Sequence, residues 1–245
     1  MKQILFLLLF VATTISTFAQ SHTNSKNPYD YVGKQHNDFL AYYAANVAAD
    51  ASKATKLSLV PSTMKNYGVS AGIIDSKFDV NAFLSTGTIS KVLTNPNFSM
   101  VAEFNSLRMT VEAGYQQRLE DVVNNLTTPE EIYTAVKSIE TSILADQRLT
   151  QSGKVSLLCA TATARYSCFY WSSQKSGNIW GVNSVSPHRQ KTNAFRSSSA
   201  VPRWVKILLK DLVGAAGGAI SGGGVVGAAV GAGIASANEA ISQLP

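Results

Sequence analysis

The stretch MVAEFNSLRMTVEAGYQQRLEDVVNNL, residues Met100 to Leu126, decides the fold class. Its apolar residues Met100, Phe104, Leu107, Val111, Tyr115, Leu119, Val122 and Leu126 recur at steps of three and four, the repeat of one helix face. Glu103, Glu112, Glu120 and Asn124 lie off that stripe, so the spacing predicts one long amphipathic helix. Thr128, Pro129 and Glu131 follow at once. They supply an N-cap, a proline at the first helical position and the carboxylate of a capping box, and a second helix is expected from about Pro129. Its apolar stripe is Ile132, Val136, Ile139 and Ile143. Ser152 and Gly153 then punctuate the chain before a third helix, about Lys154 to Ser172, with Val155, Leu158, Ala162, Tyr166, Phe169 and Tyr170 on a broad apolar face. Helices joined by short turns pack most simply as an antiparallel bundle. Alternating strand signals are weak throughout. The expected fold class is all-α, a helical bundle over residues 27–174 followed by a glycine-rich helical or hairpin tail.

At the N-terminus Lys2 precedes the apolar run Ile4 to Val11, and Thr17, Phe18 and Ala19 follow as a small-residue cleavage pattern. Residues 1–19 therefore read as a secretory signal peptide. The apolar run decays at Thr13, Thr14 and Ser16, short of the roughly 20 residues that a membrane-spanning helix needs. Cleavage after Ala19 leaves Gln20 first, with no adjacent cysteine for lipid attachment, and implies a secreted or periplasmic protein. A proline turn at Asn27 and Pro28 then leads into a helix expected from about Gly33 to Ala49.

The C-terminal stretch from Leu212 to Ala237 carries no charge. Nine of its residues are glycine and eight are alanine, and the glycines step by four at Gly214, Gly218, Gly222 and again at Gly223, Gly227, Gly231. Small residues at this spacing let helix backbones approach closely, as in paired membrane helices. Alone in water such a segment is penalised by about 1 kcal/mol for each helical glycine relative to alanine. It needs a partner or a bilayer. Before it lies PRWVKILLK, in which Pro202 suits a first helical position and Trp204, Lys206 and Lys210 form a basic amphipathic turn with an interfacial aromatic.

Charge follows the same division. Between Val155 and Lys210 stand Arg165, Lys175, Arg189, Lys191, Arg196, Arg203, Lys206 and Lys210 with no acid, whereas residues 20–154 are nearly balanced. A basic block before an uncharged tail is what attraction to an anionic membrane surface requires. The chain accordingly divides into signal peptide 1–19, bundle 27–174, basic polar linker 175–200 and tail 201–245. The residues expected to carry membrane contact or self-association are Trp204, Lys206, Lys210, Gly214, Gly218, Gly222, Gly223, Gly227 and Gly231. The competing reading is a soluble hairpin, bent at Gly222, Gly223 and Gly224, that docks on the bundle. Nucleic acid is compatible with the charge but not expected as a partner of a secreted chain.

Two internal runs, NPYDYVGKQHNDFLAYY from Asn27 and ATARYSCFYW from Ala162, together with the glycine-alanine tail, resemble an uncharacterised group of secreted proteins from Bacteroidetes. The resemblance implies no activity, fold or catalytic residue. The tail alone is similar in composition to the glycine-rich half of small membrane-active bacteriocins.

Enzymatic constellations are thin. His22, His36 and His188 have no metal-ligand spacing, and no cofactor is expected. His36 with Asn37 and Asp38 reads as a helix-surface or capping group, though it could orient a catalytic group or bind a cation. A nucleophilic Cys159 or Cys168 beside His36 is conceivable, but both cysteines fall among large apolar neighbours of the third helix and read as small hydrophobes. Within one helix, nine residues at 1.5 Å rise put them roughly 13 to 14 Å apart, beyond the ~7 Å reach of a disulfide. The expectation is a non-enzymatic protein.

Overall fold

The computed structural model describes residues 22–126, 128–174, 178–180 and 202–245. The signal peptide, and the basic linker with His188 apart from residues 178–180, lie outside the described residues. Among those described, the secondary structure is entirely helical: α1 (Asp30–Asn46), α2 (Lys53–Ser70), α3 (Val80–Leu84), α4 (Gly87–Thr94), α5 (Met100–Ser106), α6 (Thr110–Asn125), α7 (Pro129–Ala145), α8 (Gln151–Ser172), α9 (Arg203–Gly218) and α10 (Gly224–Ser242), with a π turn at Ala219–Gly223 between the last two.

The helix expected over Met100 to Leu126 is two helices. Arg108 adopts φ 60°, its N–H bonds the carbonyl of Asn105, and the N–H of Met109 bonds the carbonyl of Phe104. This is a Schellman closure with arginine where glycine is usual. Leu107 is thereby turned outward, while Met100, Phe104, Tyr115 and Leu119 stay buried. The apolar period survived the break, so periodicity alone could not reveal it.

The second helix starts as expected at Pro129, where the Thr128 hydroxyl and the Glu131 carboxylate exchange bonds with each other's backbone N–H. Helix α8 begins at Gln151, a turn earlier than Gly153 implied, because Thr150 caps it by accepting from the N–H of Gly153. Gly153 is required inside the first turn, since a Cβ there would lie 2.4 Å from the Glu112 side chain. Helix α1 likewise begins before Gly33, at Asp30, and ends at Asn46.

Helix α8 is buried on nearly all sides and is the axis of the molecule. Around it pack α1, α6, α7 and the α9–α10 hairpin, and α10 also lies against α1 and α2. One apolar core joins Leu40, Phe104, Leu119, Ile139 and Trp171 of the bundle to Leu208, Leu212, Val230 and Ile241 of the hairpin. Trp180 enters the same core, stacked on Tyr43 at 5.1 Å between ring centroids.

Candidate functional site

The run that begins at Asn27 and the run that begins at Ala162 meet face to face. Asn27, Asp30, Gly33, His36 and Asn37 recur every three or four residues, so they form one edge of the strap leading into α1 and of α1 itself. That edge lies along α8. Asn27 Nδ2 donates to the carbonyl of Leu158 at 2.8 Å and Asn37 Nδ2 to that of Tyr166 at 3.1 Å. Gly33 sits between them, where a Cβ would lie 2.4 Å from the carbonyl oxygen of Ala162. No larger residue permits this approach of the two helices.

Arg165, fully buried on α8, is the centre of the first half of this seam. Its guanidinium donates to Asp30, to Glu140 on α7 at 3.1 Å, and to the carbonyl of His22. Glu140, also fully buried, accepts in addition from Thr161 at 3.0 Å and from the amides of Asn24 and Asn27. Burial works against the Arg165 charge, and Glu140 and Asp30 outweigh it, so the guanidinium holds its proton more tightly than usual. Tyr166 donates to Asp30 at 3.0 Å, and burial with that carboxylate pushes its hydroxyl up to about 12. The network ties the N-terminal strap, α1, α7 and α8 together.

The second half reaches the hairpin. Asp211 on α9 is fully buried, and its Oδ2 accepts from Ser167 Oγ and, at 2.8 Å, from Trp171 Nε1, both on α8. His36 Nε2 stands 3.6 Å from the same oxygen. Serine, histidine and aspartate thus occur together, yet Ser167 bonds the carboxylate rather than the imidazole, and all three side chains are sealed from solvent. A nucleophile needs the base on its own hydroxyl.

The hairpin itself uses the two glycine series as its facing edges. Gly214 opposes Gly231 and Gly218 opposes Gly227, each through backbone carbonyls within the distance that a Cβ would occupy. The chain reverses at Gly222 and Gly224, whose φ values of 87° and 51° suit glycine, and Gly223 lies under the Phe83 ring. Ser221 fastens the turn by accepting from the N–H of Ile89, and Ser156 of α8 bonds the carbonyl of Ala216 at 3.0 Å. Trp204 is buried, Lys206 is exposed and Lys210 half-exposed at the opposite end from the turn. Cys159 and Cys168 are both free and buried on one continuous α8, and burial pushes both thiols up to about 12. His36 is not a surface or capping group as its neighbours implied. It is a buried partner of the hairpin. No group of three metal-ligating side chains occurs among the described residues.

The sequence reading passed over Asn27, Asp30, Glu140, Arg165 and Asp211. Signals for three of them were present. Glu140 sits beside Ile139 on the apolar stripe of α7, Arg165 is the one charge in the helix after Lys154 in its first turn, and Asp211 is the one acid between Val155 and Asn238. A charge at a buried periodic position implies a buried partner.

Fold and site define an all-α bundle enclosing a glycine-paired hairpin. No family model, curated protein or solved structure matches the chain.

Proposed function

We propose that this is a secreted, non-enzymatic membrane-interacting protein, similar in mode to a bacteriocin or effector, which carries its membrane-active element as the folded interior of a bundle. The observation behind the reading is that the hairpin's tightest contacts are its own. Gly214, Gly218, Gly227 and Gly231 pack backbone against backbone within the hairpin, so its internal packing needs no side chain from the bundle. Helix α10, 19 residues long, extends about 28 Å and α9, 16 residues long, about 24 Å, close to the ~30 Å of a bilayer's hydrocarbon. Within Arg203–Ser242 an 18-residue window is apolar enough to cross a membrane, and 61% of that window is buried inside the fold. Exposed Lys206 and half-exposed Lys210 would meet anionic headgroups at its base.

Flotation of the mature chain with phosphatidylglycerol and with phosphatidylcholine vesicles tests this. The expected result is salt-sensitive recovery with the anionic vesicles and protease protection of peptides from residues 203–242. Recovery wholly in the bottom fraction with both vesicle types would defeat the proposal.

A second reading, a secreted structural or interaction protein with a permanently buried tail, is favoured by contacts outside the hairpin. A Cβ on Gly233 would lie 2.5 Å from Met64 and 2.6 Å from Phe39, and one on Gly217 would lie 2.9 Å from Val92. The small residues therefore fit the bundle as well as each other. Under this reading lipid leaves the protease pattern unchanged.

A further inference from the structure

Asn37 fixes the hydrogen on its neighbour. Because its Nδ2 donates to the carbonyl of Tyr166, its Oδ1, 2.9 Å from His36 Nδ1, can only accept, and Nδ1 carries a hydrogen. A neutral His36 would then turn the bare lone pair of Nε2 toward the Asp211 carboxylate, in a site closed to water. Two facing acceptors, both stripped of hydration, are unfavourable. His36 Nε2 and Asp211 Oδ1 are also both buried atoms with no hydrogen-bond partner. One proton between the two side chains resolves the conflict. Since Ser167 and Trp171 already donate to Asp211 Oδ2, they favour its carboxylate form and leave that proton on the imidazole.

We propose that His36 and Asp211 form a proton-dependent latch, an imidazolium–carboxylate pair that ties α1 to the first arm of the hairpin and keeps the hairpin inside the bundle. Its role in hairpin release rests on the membrane reading above; the pair itself does not. From α8 the site is faced by Ser167, Trp171 and Tyr170, whose hydroxyl accepts from Trp180. Lys210 beside Asp211 is half-exposed, and Arg203 bonds Gln243. On α1, Lys34 pairs with Asp38 and Asp30 with Arg165. On α10, Glu239 bonds Gln243; on α2, Lys56 bonds the carbonyl of Ala49 and Tyr67 that of Gln35. Lys91 of α4 pairs with Glu103 of α5, while on α6 Glu112 bonds Thr150 and Glu120 bonds Gln116. Apart from half-exposed Lys210, these charges are engaged away from the latch.

Asp211→Asn is the decisive variant. The amide oxygen can still accept from Ser167 and Trp171, while loss of the negative charge removes what favours a second proton on His36, so the buried imidazole is neutral in the variant. An unfolded chain leaves its imidazole neutral above pH ~6.5. The folded wild type then holds one proton more than the unfolded chain, and its stability falls as pH rises. Urea unfolding of the mature chain between pH 7 and 8.5 should show the unfolding constant rising up to tenfold per pH unit in wild type and staying flat in Asp211→Asn. Equal slopes overturn the latch. So does a nitrogen-15 spectrum of wild type at pH 7.5 in which His36 is protonated at Nδ1 alone.

Dye release from phosphatidylglycerol vesicles separates the latch from its role. Release that climbs with pH across this window in wild type, but not in the variant, supports control of the hairpin. Release that ignores pH while the unfolding slopes differ as expected overturns that control and leaves a structural pair. No release at any pH, with the slopes intact, removes the membrane reading instead.

Discussion

A methyl group on Gly218 would lie 2.0 Å from the carbonyl oxygen of Gly227, and one on Gly227 would lie 2.3 Å from the carbonyl oxygen of Gly218. The obstacle is backbone on both sides, which no rotamer change can clear. The arms of the hairpin must separate if either residue gains a side chain. Gly218→Ala and Gly227→Ala are each expected to destabilise the protein by about 1 to 3 kcal/mol, read as a lower urea midpoint, with faster proteolysis of residues 203–242. Gly114→Ala is the matched control. Gly114 lies exposed within α6 with open space at its Cβ, and the change should stabilise by roughly 1 kcal/mol.

Arg165 is surrounded by groups that depend on its charge. Arg165→Met leaves Glu140 buried with amide and hydroxyl donors but no cation, and should cost about 3 to 5 kcal/mol. The double variant Arg165→Met with Glu140→Met should be more stable than Arg165→Met alone, because the stranded charge is gone. A double variant no better than the single one would show that the strap, rather than the ion pair, depends on Arg165.

Arg108 closes α5 in a left-handed conformation that suits glycine. Arg108→Gly should raise the melting temperature by relieving about 1 to 2 kcal/mol of backbone cost, partly offset by the greater freedom of the unfolded chain. Arg108→Ala should give no such gain. The comparison isolates backbone conformation from loss of the guanidinium.

Alkaline conditions should unfold the protein before they unfold a typical helical bundle. Burial pushes Cys159 and Cys168 up from 9.0 to about 12, and Tyr43, Tyr67, Tyr166 and Tyr170 from 10.0 to about 12. Above their ordinary values these groups keep protons in the folded state that the unfolded state has lost, so stability falls with rising pH between about 9 and 12. The helicity measured by circular dichroism against pH should show this loss. At pH 8 both thiols should resist iodoacetamide until urea is added.

Composition and spacing were sufficient for several features of this protein. Steps of three and four set the helical class, Thr128, Pro129 and Glu131 set the start of α7, and the two glycine series at four-residue spacing set two edges able to approach closely. These are local or periodic properties, carried by neighbouring residues along one element. Tertiary structure decided that the two series face each other within one chain, since glycine spacing alone licenses a second copy or a bilayer equally well. It also decided that Met100 to Leu126 would break at Arg108, because the apolar stripe resumes in register after the turn. Asp30 and His36 of α1 are far in sequence from Glu140, Arg165 and Asp211, and no spacing along the chain names the partner of any of them. Only the packing of α1, α7 and α9 around α8 removes their water, and that removal converts scattered charges into partners.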